Sequence, residues 1–189
     1  MEMEELESLL QGATETPSFE VKGCMAWDDK SLARDIMAMS NIRDGGNLVI
    51  GIEDGTFARQ GVDEATRATY NVDIMRDQMA KWADPSVNFS VSFPMDSNGK
   101  QYVAIKVAAF RDIPVICRRD GADVKAGAIY YRTTNRRVES AAINNASDMR
   151  DLITTAAARM REGLRQLGVE ISSPVDAFRR QLDEELGDL

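Results

Sequence analysis

The segment Glu15-Thr-Pro-Ser-Phe-Glu20-Val-Lys22 gathers two carboxylates and a lysine in one short stretch. A spacing of five puts Glu15 and Glu20 on one face of neither a helix nor a strand, so they converge only if the chain turns at Pro17. Given that turn, with Glu20 and Lys22 on one face of a strand, two acids and a lysine can meet around a metal ion or a phosphate. The competing reading is plain capping and surface pairing. Asp54 follows the apolar run Leu48-Val-Ile-Gly-Ile52, at the carboxyl end of a strand, where α/β sheets hold functional side chains; it serves equally as the turn residue before Gly55. Arg132 is followed by Thr133, Thr134, Asn135, Arg136 and Arg137, a set of planar donors and hydroxyls suited to phosphate oxygens. Tyr130 and Tyr131 offer stacking faces or core packing.

Other chemistry is excluded by what the chain lacks. It contains 189 residues and no histidine, so Ser-His and Cys-His nucleophile pairs and His-ligated zinc are absent together. Cys24 and Cys117 stand far apart without metal-ligand spacing and read as inert thiols of a reducing compartment. Gly45-Gly46 precedes its strand and is not followed by Gly-Lys-Ser/Thr, which excludes a P-loop and the dinucleotide fingerprint alike.

The net charge of -8 is unevenly spread. Between Lys100 and Arg137 nine basic residues, including Arg118 and Arg119, face three acids, leaving +6 there and -14 elsewhere. A basic stretch inside an acidic chain is compatible with a nucleic-acid partner despite the total. The acidic N-terminus lacks the pattern of a secretory signal and no apolar run is long enough to span a bilayer, so a cytoplasmic protein without a membrane span is expected.

The elements that would position these residues follow from periodicity. Leu6, Leu9 and Leu10 predict a short amphipathic helix, and Phe19 and Val21 a strand. Asp28 or Asp29 caps a helix carrying Leu32, Ala33, Ile36, Met37 and Met39, ended by Asp44-Gly45-Gly46. The unalternating run 48–52 predicts a strand covered on both faces. A helix is expected from Val72 to Trp82, broken by Asp84-Pro85. A hairpin then pairs Val87–Phe93 with Tyr102–Val107 across Asp96-Ser-Asn-Gly99. Two short strands, Val115–Cys117 and Ala128–Arg132, are joined through the Arg118-Arg119-Asp120-Gly121 turn, after which strands stop. Ser147 caps a helix reaching Gln166, and Ser173-Pro174 opens a last helix with the stripe Val175, Phe178, Leu182 and Leu186. That stripe folds back on the core or pairs with another subunit.

Taken in order, Leu6-Glu-Ser-Leu-Leu-Gln-Gly, the E-x-x-x-x-E-x-K run from Glu15 to Lys22, Ala38-Met-Ser-Asn41, Gly45-Gly46, Gly51-Ile-Glu-Asp54-Gly55 and Tyr131-Arg132 resemble the Schlafen AlbA_2 domain family over about residues 5 to 140. The resemblance implies a mixed α/β (α+β) core. It also implies nucleic-acid binding, since bacterial members carry DNA-binding or ATP-binding descriptions and lobes of the animal Schlafen proteins cleave tRNA. The acids of those enzymes match Glu15, Glu20 and Asp54, a three-carboxylate set that would hold Mg²⁺ or Mn²⁺ as metal ligands and catalytic residues. Ile42-Arg43-Asp44 is one residue longer than the usual run before the paired glycines.

The expectation is therefore an α/β domain over 1–140 and a helical C-terminal extension over 141–189. It binds nucleic acid, RNA in preference to DNA, and its activity extends to metal-dependent endoribonuclease cleavage of tRNA-like RNA. Lys22, Arg118, Arg119, Arg132, Arg136 and Arg137 contact the backbone, and the C-terminal helices make a homodimer or recruit a partner protein. A role in phage defence goes with a protein of this kind. The alternative is a non-catalytic nucleic-acid- or nucleotide-binding module that recruits a partner; a small nucleotide hydrolase is a third reading.

Overall fold

In the computed structural model, residues 3–11, 15–133 and 138–169 are described. A four-stranded mixed sheet has the order β1-β2-β5-β4, from β1 (Phe19–Lys22), β2 (Gly46–Ile50), β5 (Val103–Val107) and β4 (Phe89–Ser92). β1 and β2 run parallel, which requires a crossover; α2 (Asp29–Ser40) supplies it. The β4–β5 pair is the expected hairpin, antiparallel with Phe89 opposite Val107.

Alternate residues of the central strands enter two separate cores. Leu48, Ile50, Val103, Ile105 and Val107 pack with α2 residues Leu32, Ile36 and Met39. Val49, Tyr102 and Ala104 pack on the opposite face with Phe19, Val21, Leu6 and Leu10. This two-sided burial explains why β2 shows no hydrophobic alternation. It also sorts β1: Phe19 and Val21 face α1 (Met3–Gln11), so Glu20 and Lys22 face the side covered by α2. Leu6 and Leu10, 0% and 8% exposed, dock α1 at about 1.5–3 kcal/mol per fully buried side chain.

The paired glycines are required by geometry. Gly45 has φ +71°, and a Cβ there would lie 2.2 Å from the Val107 carbonyl oxygen; one at Gly46 would lie 2.9 Å from that of Ser18. The backbones of three segments meet at this point, which no larger residue permits.

Several boundaries differ from expectation. Asp28 is the cap of α2, accepting from Lys30 N at 3.1 Å, and the helix ends at Ser40. The third expected helix, from Val72, is α4 (Val72–Met79), preceded by α3 (Glu64–Ala68), which is short, buries no residue and leaves no stripe in the sequence. The two late segments meet at one point only, where Cys117 N donates to Ala128 O (2.9 Å) and Gly127 N to Cys117 O (2.8 Å); their ladders are with other strands, β6 (Ile116–Cys117) with β3 (Ala83–Asp84) and β7 (Tyr130–Thr133) with β8 (Glu139–Ala142). Strands therefore continue past Arg132. Glu-Ser-Ala-Ala has low strand propensity, so β8 forms because β7 pairs with it and not from its own composition. Asn145, not Ser147, caps α5 (Ala146–Gln166), accepting from Asp148 N at 2.9 Å. No helix among the described residues is long and apolar enough to cross a membrane. The helix expected from Pro174 lies outside the described residues.

Candidate nucleic-acid site

Glu15 and Glu20 are brought together by the corner the sequence anticipated. Thr16 and Phe19 exchange two backbone hydrogen bonds of 3.1 Å around Pro17-Ser18, and Glu15 Oε1 accepts from Val21 N at 3.2 Å. A pocket of about 620 Å³ opens there, lined by Glu15, Glu20, Lys22, Asp54 and Arg132, with Arg34, Asp35, Val138, Glu139 and Ser140. The three expected carboxylates thus share one cavity. Asp54 reaches it from the turn after β2 and is exposed, so its turn role and its place in the site coexist.

The inner part of the pocket is a closed charge network. Lys22 Nζ lies 2.5 Å from Glu20 Oε1 and 3.1 Å from Asp35 Oδ2. Arg132 donates through Nη1 to Glu20 Oε2 and to Ser140 Oγ (3.3 Å), through Nε to Pro17 O (3.3 Å) and through Nη2 to Thr16 O (3.2 Å). Its side chain is 1% exposed, so this charge is buried and paired with an acid. Burial first, and then the neighbouring Asp35 carboxylate, push Glu20 above its ordinary value against the pull of Arg132 and Lys22. Burial works against the charge of Lys22, yet Asp35 and Glu20 hold its ammonium above the ordinary value.

Arg118 and Arg119 are exposed and lie outside this pocket. Arg118 Nη1 reaches Ala80 O at 3.3 Å, and the Arg119 guanidinium stacks 4.7 Å from the Trp82 ring centroid. Arg136 and Arg137 lie outside the described residues. Sequence reasoning missed Asp35, Arg34, Glu139 and Ser140. Asp35 left a signal, because it falls three residues after Leu32 on the inward stripe of α2, where a carboxylate needs a buried partner. Glu139 and Ser140 sit on β8, which composition does not reveal.

Divalent metal chemistry is a matter of donor set and geometry. Among the described residues the lining holds five carboxylates against three cations, an excess of two negative charges that one divalent ion would cancel, and hard carboxylate oxygens suit Mg²⁺ or Mn²⁺. Among the described residues, however, no three Asp, Glu, His or Cys side chains are already grouped to hold a metal ion. Both Glu20 oxygens rest on cations instead.

The family model described as Schlafen, AlbA_2 matches residues 15–141. A search of curated proteins gave no match. The crystal structure of the DIP2311 protein from Corynebacterium diphtheriae is similar with a TM-score of 0.53 and 18% identity, over 81% of this chain and 28% of that one. This likeness is one of fold, and the chain spans little more than a quarter of that protein's length. The solution structure of the N-terminal domain of a RecG-related protein from Nitrosomonas europaea aligns with a TM-score of 0.46 and 18% identity, over 77% of this chain and 94% of that one.

Proposed function

The chain belongs to the Schlafen AlbA_2 family, and from that premise we propose that it binds nucleic acid, RNA before DNA, in the pocket around Glu20 and cuts the backbone there with a divalent ion. The observation that carries this reading is the meeting of Glu15, Glu20 and Asp54 in one cavity with Lys22 and Arg132. Glu15, Glu20 and Asp54 would hold Mg²⁺ or Mn²⁺. When bound, the ion activates water and neutralises charge on the phosphodiester.

The protein's own residues have separable duties. Arg132 and Lys22 fix the orientation of Glu20 and keep an otherwise repulsive carboxylate compensated. Asp54 and Glu15 supply charge at the mouth. Arg118 and Arg119, outside the pocket, add long-range attraction for a polyanion, with the salt dependence such attraction always has.

A second reading, binding without cleavage, is favoured by the commitment of both Glu20 oxygens to cations. The two are separated by incubating purified protein with tRNA and with single-stranded DNA, in Mg²⁺, Mn²⁺ or EDTA. Cutting that needs the metal and disappears in Asp54→Ala supports the first reading. A salt-sensitive gel shift without cutting supports the second.

A further inference from the structure

Of the three cations that line the pocket among the described residues, two are engaged within the protein. Lys22 sits between Glu20 and Asp35, and all three nitrogens of the Arg132 guanidinium are engaged by Glu20, Ser140, Pro17 and Thr16. Arg34 is different. Its ion-pair contact among the described residues is with Asp35, with Nε 3.9 Å from Oδ1, beyond hydrogen-bonding reach. That Nε is buried and has no hydrogen-bond partner among the described residues, while the side chain as a whole remains 38% exposed.

A desolvated N–H donor without an acceptor is uncommon in folded proteins, and here it marks a guanidinium that no protein acceptor among the described residues holds through Nε. The donor belongs to a guanidinium, whose planar fork matches two oxygens of one phosphate. It is anchored on α2, a rigid element, one residue before the Asp35 that locks Lys22. We infer that Arg34 is the phosphate-binding residue of this pocket, receiving a backbone phosphodiester of the bound nucleic acid, while Lys22 and Arg132 act as positioning residues for Glu20. This assignment rests on the reading of the pocket as a nucleic-acid site. It moves the phosphate contact away from the two cations that the sequence motif singles out.

The test is fluorescence anisotropy of a short labelled single-stranded RNA titrated with wild type, Arg34→Gln and Arg34→Lys over a series of salt concentrations, with inorganic phosphate as competitor in a separate arm. Arg34→Gln is expected to weaken binding about tenfold. It should also flatten the plot of log affinity against log salt by about 0.7, the loss of one phosphate contact on a single strand. Its melting temperature should stay that of the wild type. Arg34→Lys should restore the slope but only part of the affinity, because it keeps the charge and lacks the fork. Equal affinity and slope for wild type and Arg34→Gln would overturn the role of Arg34 while leaving the pocket reading standing. Absence of RNA binding by the wild type would overturn both. Inorganic phosphate binding that depends on Arg34, with RNA binding indifferent to it, would assign the residue to a free anion and overturn the backbone contact.

Discussion

Arg132 and Glu20, 112 positions apart in the chain, form a buried ion pair that ties β7 to β1. The pair closes one wall of the pocket, and Lys22 and Asp35 extend it to α2. Stability and pocket geometry therefore depend on the same four side chains, whereas the exposed Asp54 lines the pocket outside that network.

Replacing Arg132 should consequently unfold more than it disables. Arg132→Ala leaves Glu20 buried with one cation in place of two and frees the Thr16 and Pro17 carbonyls. A loss of about 3 kcal/mol in urea denaturation is expected, near the lower end for breaking a buried pair. A loss below about 1 kcal/mol would show that the network is solvated.

Asp54→Ala should behave in the opposite way. The residue is exposed, so stability should stay within about 0.5 kcal/mol of wild type, as for most surface substitutions. Metal-dependent cleavage should vanish. Retained cleavage with unchanged stability would remove Asp54 from the site.

Acid should loosen α1 before the rest of the fold. The Arg59 guanidinium, and then Ser97 N, hold Glu7 well below its ordinary 4.5, at about 2. A carboxylate depressed on folding contributes stability that is fully present above its unfolded value and is lost as pH falls towards the folded one. The difference in melting temperature between wild type and Glu7→Gln should therefore be constant above about pH 5.5 and shrink between pH 4.5 and 2. A difference that grows on acidification would contradict this.

Asn41 should be among the costliest single changes. It is fully buried, donates through Nδ2 to the carbonyls of Val115 (2.9 Å) and Tyr130 (2.8 Å), and accepts from Val115 N at 2.7 Å. Asn41→Ala strands three buried backbone groups, for an expected loss of about 3 kcal/mol or more. Asn41→Asp, which keeps an acceptor but loses the donors, should recover little of it.

The parts of this account that were legible in the sequence are those written in local pattern. The β4–β5 hairpin, the doubly covered β2, the turn at Pro17 and the shared face of Glu20 and Lys22 all follow from short-range periodicity and turn chemistry. Asn41 was visible only as part of a family motif, because its partners lie 74 and 89 positions away. The pairing of β6 with β3 was hidden for the same reason, and β8 because Glu-Ser-Ala-Ala carries no strand signal of its own. Residue types singled out Glu15, Glu20, Asp54, Lys22 and Arg132, which line one pocket. They did not reveal that Lys22 and Arg132 are consumed internally, since that depends on Asp35 and on carbonyls at Thr16 and Pro17 turned inward by the fold.

The most direct test of the central claim is one gel: tRNA and single-stranded DNA incubated with purified wild type and with the Glu15→Ala, Glu20→Ala and Asp54→Ala variants, each with Mn²⁺, Mg²⁺ or EDTA. The expected result is cutting of RNA by the wild type that requires the metal and is lost in all three variants, with Asp54→Ala as stable as the wild type. Intact RNA in every lane, or cutting that persists in EDTA or in the Asp54 variant, would contradict it.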